Sequence, residues 1–524
     1  MAPRRQGPVR RDAPVDRGRA AGHHPPVTAR LVIVFVVDGL RPDAIVPADM
    51  PTLCRLRAEG VEFTATHSAV PTVTRVNAAT LATGSHPGAH GIVGNQMYVP
   101  AADPTRALGT DSHRRLLDVD RATGGRLVHV RTLAERLQAR GLSLAAVSSG
   151  STGSALLTNP RGPAGAGLLV NGYFEPGARV AWPDAASAAI LERFGRAPGK
   201  QGAGSYEAAV TWTQRVLREH VLPELQPAVV INWLTEPDHT QHARGVGSPE
   251  ARATLRHADA EIAAALADLE RRGVAGSTAV VVASDHGFTS NTGGVDVVAE
   301  LVEAKLKASA ESTDVVLASS GQAVALHVTD GDAERVARIA RFAWSRPWGG
   351  VLFTVAREPG DWRGAVEGTF SLDAIHLANA ERRPDLLVTF PWTSGDNAFG
   401  VAGSDLACVS GKATLYPSDH GSLSPWNVRS TLLGWGAGFK RGIRSTAPAG
   451  NVDVAPTALA LLGIADRDGM DGRVLAEALI DGPDPEHVAV RTETHVVAAS
   501  AYRAALQVTA AEGHRYVDKS WRIA

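Results

Sequence analysis

Residues 31–39 read LVIVFVVDG: seven apolar residues, most of them β-branched, ending abruptly in Asp38 and Gly39. A strand with one wet face alternates apolar and polar residues. An unbroken apolar run is buried on both faces, as in the middle of a parallel sheet. Working outward, similar runs recur at 142–148, at 228–234 (AVVINWL) and at 278–283 (TAVVVA). Helical spacing fills the gaps at 51–60, 77–83, 132–141, 205–222 and 250–272. At 132 the start signal is specific, because Thr132 is followed three residues later by Glu135, the spacing of a capping box. Strand alternating with helix predicts an α/β fold, a three-layer sandwich around a mostly parallel sheet.

The pattern changes over 291–379. Strand-like pieces at 323–328 and 350–355 flank a helix at 333–344, which predicts an inserted α+β cap. The run at 386–390 is expected to return to the core, so the core is assigned to 31–290 and 380–480. Residues 481–524 form an extension in which 502–509 and 514–523, separated by AAEG, are expected to pair as a β-hairpin. Residues 1–30 hold seven arginines and two aspartates among Pro, Gly and Ala, and are expected to be a disordered basic tail. Arg10-Arg11 is not followed closely by an apolar stretch or a cleavage site, so a cytoplasmic location is the default, with export as the alternative.

Composition narrows the function classes. With 53 basic and 54 acidic residues there is no global charge case for a nucleic-acid polymer or an anionic membrane. Two cysteines, Cys54 and Cys408, exclude a disulfide scaffold and a cysteine zinc finger. No apolar run reaches the ~18–20 residues of a membrane span.

Ligands of parallel α/β sheets bind past the carboxyl ends of the strands. The strand at 31–37 ends in Asp38. The strand at 228–234 runs into EPDHTQH, with Asp238 and His242 four residues apart and therefore on one helical face. The strand at 278–283 runs into Ser284-Asp285-His286-Gly287, and His420 lies in a loop-like Ser-Asp-His-Gly. Imidazole and carboxylate are the usual ligands of a zinc-like ion. Six such groups exceed the needs of one open catalytic zinc and suit two ions, which would also offset the repulsion among three carboxylates. Asp285 and His286 are adjacent, and neighbours in an extended segment diverge, which suits two different ions or a bridging role. His67, His86, His90, His239 and His257 read as ordinary structural or surface histidines.

Residues 70–77 (VPTVTRVN) lead into a helix. A hydroxyl at a helix start beside metal ions can serve as a nucleophile, and Thr72 or Thr74 can equally be a helix cap. Asn95, in the Gly-rich GIVGN, is either a donor to a phosphoryl oxygen or a turn residue.

In this order the motifs VVDGLRPDAI (36–45), PTVTRVN (71–77), LATGSHPGAHGIVGN (81–95), EPDHTQH (236–242), ASDHGF (283–288) and SDHGSLSP (418–425) resemble the alkaline phosphatase superfamily. They look most like the type I phosphodiesterase and nucleotide pyrophosphatase family, with phosphonoacetate hydrolases as near relatives. NVDVAPTALALLGI (451–464) followed by GMDGR (469–473) looks like the closing segment of these enzymes. The resemblance implies two divalent ions, with zinc as the expected metal. Asp238, His242 and His420 would hold one; Asp38, Asp285 and His286 would hold the other, with Thr74 as its coordinated nucleophile and Asn95 assisting a non-bridging oxygen. The implied activity is hydrolysis of phosphate diesters or pyrophosphates through a phosphothreonine, on a small-molecule phosphate or phosphonate ester. The sequence departs from the family at Arg75-Val76-Asn77, where the pyrophosphatases usually read Phe-Pro-Asn. Arg75 is thus a candidate contact for a second anionic group or a solvent-facing side chain, and an aromatic that could stack on a base is missing. Two alternatives remain: phosphonoacetate-type C–P hydrolysis, with Arg75 or Lys412 meeting the carboxylate, and a catalytically silent binding protein of the same fold. Trp344, Trp348, Trp392 and Tyr416 are candidate leaving-group contacts.

Overall fold

The computed structural model describes residues 28–173, 175, 177–199, 205–411 and 415–523. The basic tail expected over 1–30 lies outside the described residues as far as 27, as does Lys412. The centre is a nine-stranded sheet built from β1 (Leu31–Val37), β2 (Val61–His67), β3 (Leu144–Ser148), β4 (Leu168–Asn171), β5 (Ala181–Trp182), β6 (Val229–Leu234), β7 (Thr278–Ala283), β8 (Leu432–Gly436) and β9 (Ile443–Gly450). Their order is β9-β2-β8-β7-β1-β6-β3-β4-β5. Parallel pairing joins β1 to β6 and β7, β3 to β4 and β6, and β2 to β9; β8 and β5 run antiparallel to their neighbours.

Burial on both faces is why β1 is apolar throughout. Val32, Val34 and Val36 pack into one core layer; Ile33, Phe35 and Val37 pack into the other. The first layer is closed by the helices Thr74–Thr83, Leu133–Gln138, Thr152–Thr158 and Val454–Leu461, the second by Pro51–Glu59, Glu207–Val216 and Pro249–Arg271. This is the expected three-layer α/β sandwich. The capping box at Thr132 is present: Glu135 donates its backbone N–H to the Thr132 hydroxyl, and its carboxylate accepts the Thr132 N–H. Among the described residues no helix is long and apolar enough to cross a membrane.

Two further sheets follow β7. A five-stranded sheet runs in the order Val315–Ser319, Ala323–Val328, Leu386–Thr389, Leu352–Thr354, Phe370–Ser371. The run at 386–390, expected in the core, is therefore the middle strand of this inserted sheet, pairing Thr389 with Ala323 and Val388 with Leu352. An apolar run buried on both faces fits the middle of either sheet, so its period does not say which. A four-stranded sheet orders Trp392–Asp396, Ala402–Cys408, Thr289–Val295 and Ser418–Asp419. At the C-terminus the strands over 502–511 and 514–523 pair as expected, but Val490–Ala499 adds a third strand to their antiparallel sheet. Its sequence VRTETHVVAA is largely exposed, with only two buried positions, so it carries little apolar signal.

Candidate metal centre

Register brings the site together. Val37 lies opposite Leu234 across β1 and β6, and Val36 lies opposite Ala283 across β1 and β7. The three central strands therefore end level, and Asp38, Asp238 and Asp285 leave the sheet on one rim. The fourth contribution is non-local. Thr289 pairs with Asp419, so the strand leaving His286 delivers His420 beside it. The rings of His286 and His420 stack 3.6 Å apart at 15°.

The side chains converge on two foci. Around His286 Nε2 lie Asp285 Oδ2 at 3.1 Å, Asp38 Oδ1 at 3.5 Å and the Thr74 hydroxyl at 3.3 Å. Around Asp238 Oδ1 lie His420 Nε2 at 3.4 Å, His242 Nε2 at 3.5 Å and, farther off, His286 Nε2 at 3.9 Å. Three ligand-bearing groups emerge: Asp38 with Asp285 and His286; Asp238 with His286 and His420; His242 with Asp419 and His420. Asp285 and His286, expected to diverge, converge instead, because β7 ends at Ala283 and the next five residues are not extended strand.

The donor chemistry fits cations. Asp38 Oδ1, Asp238 Oδ1 and Asp285 Oδ2 are buried and accept no hydrogen bond among the described residues. These are the same oxygens that face the foci. The companion oxygens are satisfied where recorded: Trp233 donates its indole N–H to Asp38 Oδ2 at 2.9 Å, and the Gly39 N–H donates to Asp285 Oδ1 at 3.0 Å. Each imidazole is oriented through its other nitrogen. Nδ1 of His286, His420 and His242 lies 2.9, 2.9 and 3.1 Å from the carbonyls of Gly287, Thr72 and Ser418. A carbonyl only accepts, so Nδ1 carries the proton and Nε2 of the neutral ring is bare toward the site, the arrangement of a metal ligand.

Without a cation the centre is electrostatically strained. Burial, then the charges of Asp238 and Asp285, push Asp38 well above the usual carboxylate range. Burial opposes ionisation of Asp238 as well, yet the imidazoles of His242 and His420 hold it well below that range. Burial disfavours the His242 cation, but Asp238 and Asp419 outweigh it and raise the group to about 9. Burial and then His286 keep His420 down.

Thr74 is the first residue of the helix Thr74–Thr83, whose N-cap is Val73 with no side-chain cap. Neither threonine is a cap. Thr72 is fully buried and donates its hydroxyl to Ser422 O at 2.8 Å, which leaves Thr74 as the hydroxyl at the site. Asn95 accepts the Arg75 N–H at 3.4 Å and lines a cleft of about 590 Å³ with Thr74, Arg75, Asp238 and His242. Arg75 lines this cleft rather than facing open solvent. Of the four candidate aromatics only Tyr416 lines it. Trp344 stacks on Tyr502, Trp348 is buried against Phe342 and Phe390, and Trp392 donates to Ser520 O.

Asp419, within the SDHG motif but not singled out in the sequence, approaches His242 Nδ1 to 3.7 Å and joins it in a cluster. His239, read as ordinary, lines the cleft with its ring edge-on to Tyr206. His67, His90 and His257 are held by partners away from it, and His86 stacks on His376.

A family model of type I phosphodiesterase / nucleotide pyrophosphatase matches residues 32–390. Venom phosphodiesterases 2 and 1 of Crotalus adamanteus are each 25% identical over 261 residues, 49% of this chain. The aligned part spans 26% and 25% of those proteins, so the chain matches about a quarter of the length of these curated relatives. The structure of murine ectonucleotide pyrophosphatase / phosphodiesterase 5 superposes with a TM-score of 0.55 at 16% identity, over 83% of this chain and 95% of that one. At that identity the likeness concerns the fold.

Proposed function

As a chain that belongs to the type I phosphodiesterase / nucleotide pyrophosphatase family, this protein, we propose, is a two-metal hydrolase of phosphate diesters or pyrophosphates with Thr74 as its nucleophile. One observation carries the reading. Three buried carboxylate oxygens without hydrogen bonds, the Nε2 atoms of His242, His286 and His420, and the Thr74 hydroxyl all point into one rim of the sheet. Asp38, Asp285 and His286 would hold one ion, Asp238, His242 and His420 the other. Two bound zinc ions would supply Lewis-acid stabilisation of the attacking and departing oxygens.

The residues of the chain do the positioning. The Thr74 hydroxyl gives its proton to solvent water and its oxygen bonds to phosphorus, while the leaving ester oxygen departs with the electron pair of the broken P–O bond and takes up a proton from solvent. Water then attacks the phosphothreonine and restores the threonine. The first N–H groups of the helix Thr74–Thr83 have no helical acceptor and favour an anion at its start. The Asn95 amide NH₂ borders the same space and is the donor for a non-bridging oxygen.

The test is hydrolysis of bis-p-nitrophenyl phosphate. Turnover is expected from zinc-loaded protein, with loss on chelation and return on re-addition. Thr74→Ala should lower turnover by roughly a thousandfold or more while metal analysis still finds both ions. Wild-type turnover in that variant removes Thr74 from the mechanism. A fully loaded protein inert toward phosphate esters is a silent binding protein.

A further inference from the structure

Arg75 is the one arginine or lysine among the described residues that line the cleft. It has no carboxylate partner among them. Its Nη2 donates to the Ser151 hydroxyl at 3.2 Å, and its Nε is buried without an acceptor. Ser151 is itself fixed, since its hydroxyl caps the helix Thr152–Thr158 by accepting the Ser154 N–H at 3.2 Å and lies 2.9 Å from the Ser154 hydroxyl. The guanidinium is thus anchored by a neutral group and not neutralised. Asp111, the acidic residue that lines the cleft outside the metal clusters among the described residues, is paired with Arg115 at 2.6 Å. A fixed guanidinium with unused donors is a receptor for a planar oxyanion.

Its placement says which part of a substrate it meets. Arg75 follows Thr74 directly, and its backbone N–H contacts Asn95. His242 of the other focus lies beside Tyr416, whose ring stands 5.2 Å from the imidazole. Arg75 is therefore tied to the nucleophile through the backbone, with its guanidinium resting on Ser151. We propose that Arg75 binds a second anionic group on the side of the substrate that stays with Thr74. That group is a second ionised oxygen on phosphorus, which a phosphomonoester or a phosphonate carries and a phosphodiester lacks. The inference rests on the hydrolase reading for the position of phosphorus, but the anion contact itself is measurable without turnover.

Two measurements test it. The first compares kcat/KM on p-nitrophenyl phosphate, phosphonoacetate and bis-p-nitrophenyl phosphate, which lacks a second anionic group. Arg75→Ala should lower the ratio of a dianionic substrate to the diester by about 10- to 100-fold, the range of a charge-assisted contact. Both dianionic substrates should show this fall, because each carries a second ionised oxygen on phosphorus. Equal losses on all three overturn the proposal. The second is calorimetric titration of zinc-loaded Thr74→Ala protein with phosphonoacetate and with inorganic phosphate. Adding Arg75→Ala should weaken both about 10- to 100-fold; unchanged affinity for either overturns it. Binding that depends on Arg75, found together with a zinc-loaded wild-type protein that hydrolyses none of the three substrates, would end the hydrolase reading and leave the anion site standing.

Discussion

Asp38 divides its carboxylate between two tasks. Oδ2 is tied to the Trp233 indole N–H, and Oδ1 faces His286 without a hydrogen bond. Trp233 is fully buried on the neighbouring strand β6, so it acts on the site through Asp38 and not by touching a ligand. Removing the indole N–H would leave Oδ2 unsatisfied and let the carboxylate turn. Trp233→Phe is expected to keep the fold by circular dichroism and to weaken metal retention at this focus by about 10- to 100-fold in competition with a chelator, the usual effect of losing an outer partner. Unchanged retention would mean that packing alone orients Asp38. The residue scale also separates the two threonines, which the sequence leaves open. Thr72 donates to a backbone carbonyl, and Thr74 faces an imidazole.

The elements explain why glycine follows both Asp-His pairs. A Cβ on Gly287 would stand 1.9 Å from Trp426 O. One on Gly421, whose φ is +118°, would stand 1.9 Å from Ser320 O. Both loops lie so close to a neighbouring backbone that no side chain fits. Gly421→Ala should cost roughly 3 kcal/mol and displace His420, read as a lower Tm together with loss of one zinc equivalent. A normal Tm with both ions bound would show that the loop can move aside. The rim itself was legible in the sequence, because continuous β-branched runs mark strands buried on both faces and a polar group straight after such a run can only be at an end. Asp38, Asp238 and Asp285 were found that way. The partner strand of the His420 loop was not legible, since Thr289–Val295 reads TSNTGGV and pairs over a separation of more than a hundred residues. Nor was the convergence of Asp285 with His286, which depends on a loop conformation rather than on a period.

At the scale of the whole molecule, the centre couples stability to ions and to pH in opposite directions. In ion-free protein Asp38 holds its proton far above the ordinary carboxylate range because it is buried beside two other acids. A carboxyl raised in this way contributes stability at low pH that disappears as pH rises through its folded value. Burial opposes the His242 cation but Asp238 and Asp419 raise it to about 9, so its contribution is complete below about 6.5 and is lost as pH climbs toward 9. Asp238, held low, contributes a constant amount over this window, and His420, also lowered, stays neutral across it. Burial opposes the His286 cation but Asp285 raises it, so it acts in the same direction as His242, and the ion-free protein loses stability as pH climbs from 6.5 toward 9. Loaded protein moves the other way. Metal ligands must shed protons to bind, so affinity tightens as pH rises, and tight binding adds RT ln(1 + [L]/Kd) to the folded state, ~4 kcal/mol at a thousandfold excess over Kd. Thermal unfolding in zinc and in chelator should therefore give Tm curves that separate steadily from pH 6.5 to 9. Curves that stay parallel would mean that the three carboxylates are neutralised by something other than a bound cation.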